Sequence, residues 1–183
     1  MPFDPYVHRR RSVRLRGYDY ASDGAYFVTA VCRNRNLLFA NAAYRDAVER
    51  CWLALPDTND HVRLDTYVVM PNHFHGIIWL EEGRRGGSRT APTPSRSRKP
   101  LGRLVGAFKT TSTKAINLMR YTPGEMVWQR DFYERIIRNE TELNRIRQYI
   151  LDNPANWADD PNNPASPAKR SGARADPDEW LSL

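Results

Sequence analysis

From Ala25 to Cys32 the chain reads A-Y-F-V-T-A-V-C, aromatic and β-branched residues closed by the polar R-N-R-N, which predicts a first strand. The apolar period then changes. Ala43, Ala47, Val48, Cys51, Trp52 and Leu55 recur at helical spacing between Asn41, a capping residue type, and Pro56. V-R-L-D-T-Y-V-V-M and H-F-H-G-I-I-W-L return to strand character, with Pro71-Asn72 between them as the punctuation of a hairpin. Leu101, Leu104, Val105, Phe108, Ala115, Ile116 and Met119 outline an amphipathic helix whose other face carries Arg103, Lys109, Lys114 and Arg120. M-V-W-Q-R-D-F-Y-E-R-I-I-R predicts one or two further strands, and E-T-E-L-N-R-I-R-Q-Y-I-L-D-N-P a third helix stopped by Pro154. The order β, α, β, β, α, β, α predicts an α+β domain of ferredoxin-like form, an antiparallel sheet with helices mainly on one face.

The polar remainder divides the chain. Residues 1–20 form a basic arm, 21–157 a single domain, and 158–183 a tail rich in Pro and Asp. Inside the domain, Gly83 to Pro100 has almost no apolar side chains and much Gly, Ser, Pro and Arg, which predicts a mobile loop. From Trp157 onward, repeated Asp, Asn and Pro predict poor order. With 183 residues and 40% hydrophobic content, one core is expected. The 28 Lys and Arg against 21 Asp and Glu give +7, and ten of the basic residues lie between Gly83 and Arg120, where there is no acid. This balance points to a polyanionic partner, nucleic acid before an anionic membrane surface. Cys32 and Cys51 lack CxxC spacing and read as reduced structural thiols of a cytoplasmic protein. The arginine-rich start has no apolar h-region, and no run approaches the ~18 apolar residues of a membrane span, so neither export nor membrane association is expected.

The chemistry begins with His73 and His75, two of the four histidines. Side chains alternate along a strand, so both imidazoles share one face while Phe74 takes the other. Such a pair is either a two-nitrogen metal clamp or two hydrogen-bonded histidines on a half-exposed sheet, and H-x-H alone leaves both open. A histidine-triad hydrolase would need a third alternating histidine, but position 77 is Ile. On the third helix, Leu143, Ile146 and Ile150 mark the buried stripe; Tyr149 lies close to it, with Asn153 one turn further on. A phenol with a pKa of ~10 is a poor nucleophile, but beside a metal-polarised phosphodiester it can attack phosphorus.

P-N-H-F-H-G-I-I-W resembles the HUH motif of the single-tyrosine HUH transposases, and Q-Y-I-L-D-N-P resembles their tyrosine helix. The order R-R-R-S-V-R-L-R-G-Y-D-Y, A-Y-F-V-T, V-V-M-P-N-H-F-H-G, V-W-Q-R-D-F-Y-E-R-I-I-R and Y-I-L-D-N-P is most similar to the REP-associated tyrosine transposases and their insertion-sequence relatives, over about residues 9 to 157. The resemblance implies His73 and His75 as metal ligands, Asn153 as a third ligand and Tyr149 as nucleophile. It implies a divalent ion, Mg²⁺ or Mn²⁺; on ligand softness two imidazoles suit Mn²⁺ or Zn²⁺ better than Mg²⁺. The implied reaction cleaves and rejoins single-stranded DNA near a hairpin, through a 5′-phosphotyrosine link and a free 3′-OH.

For such an enzyme, Arg9, Arg10, Arg11, Arg14 and Arg16 with Lys109 and Lys114 are expected to neutralise phosphates, and Tyr18, Tyr20 or Tyr26 to stack on bases. Trp52, Trp79 and Trp128 read as core or core-edge residues. A cytoplasmic, nucleoid-associated protein is expected, monomeric in preference to homodimeric. The alternative is a domesticated DNA- or RNA-binding protein on the same fold, without transposition activity.

Overall fold

A computed structural model of the chain describes residues 19–82 and 98–166. The Arg9 to Arg16 arm, Tyr18, positions 83–97 of the basic segment and residues 167–183 lie outside them.

The elements follow the predicted order: β1 (Gly24–Val31), α1 (Ala42–Leu53), β2 (Val62–Met70), β3 (His73–Leu80), α2 (Leu101–Met119), β4 (Tyr133–Ile137) and α3 (Glu140–Asp152). The strands form one antiparallel sheet in the order β2-β3-β1-β4, the ferredoxin-like arrangement. The Met126 to Arg138 stretch, expected to hold one or two strands, supplies β4 and a single bridge between Trp128 and Cys32. Local chemistry explains the boundaries. The Asn41 side chain accepts a hydrogen bond from the Ala43 amide at 2.9 Å and so starts α1, and Asn139 does the same for α3 through the Glu142 amide at 2.8 Å. Helix α3 ends with Asn153 as its cap, one residue before Pro154.

Strand alternation sends the two faces of the sheet to different partners. Tyr26, Val28 and Ala30 of β1, with Cys32 just beyond it, join Phe74, Ile78 and Leu80 of β3 in packing against Trp52 of α1 and Leu104 and Phe108 of α2. Ala25, Phe27 and Ile77 face the other way and meet Leu143, Ile146 and Ile150 of α3. Two helices therefore cover one face and one helix the other. Trp52 and Trp128 are buried in the larger cluster and Trp79 packs at the edge of the smaller, as expected of core residues. Tyr26 is fully buried and donates its hydroxyl to the Ser22 carbonyl at 2.9 Å, so it is no base platform: alternation puts it on the same face as Val28 and Ala30. Burial pushes the Cys32 thiol up to about 12, making it an inert core side chain.

At Gly76, an added Cβ would lie 2.7 Å from Phe74 Cζ and 2.9 Å from Trp52 Cζ2. The Phe74 ring occupies the space a side chain would need. Gly76→Ala is therefore expected to destabilise the protein by about 1–3 kcal/mol through overpacking, read as a lower urea midpoint. An unchanged midpoint would mean that the Trp52–Phe74 pair, with centroids 4.6 Å apart, shifts freely.

Residues 157–166 depart from the expectation of poor order. A short 3-10 turn at Trp157–Asp159 leads into a chain of turns in which Asp160, Asn163 and Ser166 are buried. Their backbone groups are satisfied by short-range bonds: the Asn162 amide donates to Asp160 Oδ1 at 2.6 Å and the Ala165 amide to Asn163 Oδ1 at 2.9 Å. Asp and Asn here act as turn formers. Among the described residues no helix is long and apolar enough to cross a membrane.

Candidate active site

His73 and His75 open β3, opposite Val31 and Thr29 of β1, on the face that α3 covers. Both are buried and their ring centroids are 4.6 Å apart. The ring nitrogens are held in distinct ways. His73 Nδ1 lies 2.9 Å from Asn72 Oδ1. The orientation of the Asn72 amide follows from its other end, where Nδ2 donates to the Arg35 and Asn162 carbonyls at 3.1 and 2.8 Å. An amide oxygen only accepts, so His73 carries its proton on Nδ1 and presents the Nε2 lone pair to the site. His75 Nδ1 is 2.8 Å from the Thr29 hydroxyl, and its Nε2 points at Tyr149.

Burial lowers the pKa of both histidines, and for His75 the neighbouring His73 lowers it further. Both imidazoles are therefore neutral near pH 7, the form in which histidine binds metal.

Helix α3 brings Tyr149 to this pair. Its hydroxyl is 3.4 Å from His75 Nε2, its ring centroid is 5.3 Å from that of His75, and Phe27 supports it edge-on at 6.1 Å. Burial raises the pKa of the phenol, Asn153 opposes the rise and the Asp160 charge adds to it. The hydroxyl is thus protonated at rest. One turn on, Asn153 is buried and its Nδ2 donates to the Tyr149 carbonyl at 3.2 Å. Among the described residues, its Oδ1 is buried without a hydrogen-bond partner, and so is His73 Nε2.

Two buried acceptors without a hydrogen bond among the described residues, beside His75 Nε2, need an explanation, since such groups are costly to bury unsatisfied. A divalent cation accepting lone pairs from all three fits. The set is two imidazoles and one amide; among the described residues no group of three or more His, Cys, Asp or Glu could hold a metal.

Sequence reasoning missed Asp160. Its Oδ2 is 3.5 Å from His73 Nε2, and the Trp157 ring sits 6.0 Å from the His73 ring. The segment that delivers them is tied down by Asn72, through the Asn162 carbonyl, and by Arg35, whose Nη1 donates to the Pro161 carbonyl at 2.8 Å. The only local signal was D-D-P-N-N-P, a run of turn formers.

No family model matches the chain. An uncharacterized protein of Haemophilus influenzae is 36% identical over 171 residues, covering 84% of this chain and 93% of its own length. The chain belongs to the same family as that protein. A second Haemophilus influenzae protein, whose name assigns it provisionally to the REP-associated tyrosine transposases, is 25% identical over 139 residues, 74% of this chain and 73% of its own. Among solved structures, a REP-associated tyrosine transposase bound to a REP hairpin matches with a TM-score of 0.56 and 20% identity, over 80% of this chain and 74% of that one. The fold is that of the REP-associated tyrosine transposases.

On this transposase fold His73, His75, Tyr149 and Asn153 come together, and the lysines do not join them. Lys109 was expected on a phosphate-binding face. Instead it is half-buried against the 129–131 loop, where Nζ donates to the carbonyls of Gln129, Arg130 and Asp131 at 2.6, 2.9 and 3.2 Å. An ammonium has three donors, and all three are used. Lys114, further along α2, is exposed. Tyr20 is partly buried against the larger cluster, its ring centroid 6.2 Å from that of Tyr26.

Proposed function

We propose that this protein is a metal-dependent transposase acting on single-stranded DNA near a hairpin, with Tyr149 as nucleophile. The supporting observation is the placement of the Tyr149 hydroxyl 3.4 Å from His75 Nε2 in the same chain, beside His73 Nε2 and Asn153 Oδ1, which have no hydrogen-bond partner among the described residues. His73, His75 and Asn153 would hold the ion, Mg²⁺ or Mn²⁺. Bound there, it would supply Lewis-acid polarisation of the scissile phosphate.

The chain's own groups account for the rest. Tyr149 Oη forms a bond to phosphorus as the P–O3′ bond breaks. The phenol gives up one proton and the departing 3′ oxygen takes one up, leaving a 5′-phosphotyrosine and a 3′-OH. Attack by a 3′-OH on that linkage reverses the step, so strands rejoin without a nucleoside triphosphate. Asn72 and Thr29 fix the histidine rings, and Phe27 holds the tyrosine ring. The Arg9, Arg10, Arg11, Arg14 and Arg16 arm and the exposed Lys114 are the proposed phosphate contacts. Tyr149 meets the histidines of its own chain, which suits a monomer.

The test is a single-stranded substrate carrying a hairpin and a label 3′ of the cleavage site, incubated with protein and Mn²⁺ or Mg²⁺. A denaturation-resistant protein–DNA adduct that retains the label is expected. Cleavage that leaves a free 5′-phosphate throughout would make water the nucleophile and refute the reading.

A further inference from the structure

Strand β2 carries an irregularity with a purpose. Leu64 pairs with Ile78 and Tyr67 with Gly76, so three steps along β2 match two along β3, the signature of a β-bulge. The bulge holds Asp65, whose carboxylate reaches the face covered by α3. There Arg147 grips it in a fork, Nε to Oδ1 at 2.9 Å and Nη2 to Oδ2 at 2.7 Å. The carboxylate is held in turn by the Trp79 indole N–H at 3.0 Å and the Thr66 amide at 2.7 Å. On the helix side, Arg147 Nη1 also donates to Asn144 Oδ1 at 3.0 Å.

We infer that the Asp65–Arg147 pair is a positioning clamp that sets the roll of α3 about its axis and so aims Tyr149 at the histidine pair. The inference rests on the proposed role of Tyr149. Its geometry comes from the helix. Leu143, Ile146 and Ile150 form the buried stripe. At about 100° per residue, Arg147 falls on one edge of that stripe and Tyr149 on the other, about 160° apart, with Asn153 on the Tyr149 side about 120° from Arg147. Apolar packing along the stripe is non-directional and tolerates a small rotation. A bidentate guanidinium–carboxylate pair does not, because its two parallel hydrogen bonds fix an orientation. At a side-chain radius of 5–6 Å, a roll of about 20° would move the far edge by roughly 2 Å. Misplacing a reacting group by ~1 Å can cost ~10²-fold in rate. Arg147 lowers the Asp65 carboxyl well below the usual carboxylate range, so the pair stays ionised throughout the working pH range.

Two measurements on the full chain test the clamp. In the first, Arg147→Met, Asp65→Asn, the double variant and the milder Arg147→Lys are compared in single-turnover adduct formation under saturating DNA. Arg147→Met and Asp65→Asn are each expected to slow adduct formation about 10- to 100-fold with DNA affinity within twofold of wild type. The double variant should be no slower than the singles, because they disable one device. Arg147→Lys keeps the charge but not the fork and should fall between wild type and Arg147→Met. In the second, Tyr149 is replaced by 3-fluorotyrosine and its ¹⁹F resonance recorded without DNA. One narrow line is expected with the clamp intact and a shifted or broadened line in Arg147→Met, while far-UV circular dichroism is unchanged. Adduct rates within threefold of wild type, or an unmoved ¹⁹F line in a folded variant, would overturn the clamp. If wild-type protein forms no adduct, the proposed chemistry fails while the ¹⁹F comparison still decides the clamp.

Discussion

Tyr149→Phe is expected to bind DNA as the wild type does and to form no covalent adduct. The substitution removes one oxygen and keeps the ring that packs on Phe27 and His75, with centroids at 6.1 and 5.3 Å. The hydroxyl's contact with His75 is long, 3.4 Å, so stability should change by no more than about 1 kcal/mol. Loss of the proposed nucleophile should lower adduct yield by roughly 10⁴-fold or more, measured by gel shift under denaturing conditions. Label still attached to the phenylalanine variant at wild-type yield would move the nucleophile elsewhere in the chain.

The second large effect belongs to the imidazoles. His73→Ala and His75→Ala are each expected to reduce cleavage at least ~10²-fold and to abolish any rise in melting temperature on adding Mn²⁺. DNA affinity should stay within about threefold, since phosphate contacts by Arg and Lys dominate it. Both side chains are buried, so each variant also leaves a cavity, and folding is verified by circular dichroism before activity is read. Full cleavage by either variant in chelator-treated buffer supplemented with Mg²⁺ would falsify the metal assignment.

Much of this site is legible in the sequence because it depends on periods. Alternation along H-F-H places two imidazoles on one face, and the 3.6-residue period sets Tyr149 and Asn153 beside the Leu143, Ile146, Ile150 stripe. The same rule, applied to A-Y-F-V-T-A-V-C, puts Tyr26 in the core. What escaped depends on contacts between distant segments. Lys109 occupies the polar face of its helix as its spacing demands, yet the carbonyls of residues 129–131 take its ammonium, and nothing in the helix announces them. Asp160 arrives on a stretch whose order comes from side chain to backbone turns, with little apolar burial. Composition therefore reads it as tail. Asp65 shows the same limit: the bulge that turns it toward Arg147 is a difference in register between two strands.

The unequal covering of the sheet bears on native-state fluctuations. α1 and α2 share one continuous apolar cluster, so neither can leave without exposing Trp52, Phe74 and Phe108. α3 alone covers the other face, held by Leu143, Ile146 and Ile150, by Tyr149 against Phe27, by the Asp65 fork and by Arg135 of β4, whose Nε donates to Glu142 at 2.7 Å. Partial opening that releases α3 and leaves β1 and β3 paired is therefore expected to cost less than global unfolding. Tyr149, the proposed nucleophile, and Asn153 both belong to that helix and its cap. The two histidines, fixed by Thr29 and Asn72, belong to the sheet. If Tyr149 forms the proposed link to DNA, release of α3 would carry that strand away from the histidines while the larger apolar cluster stays closed.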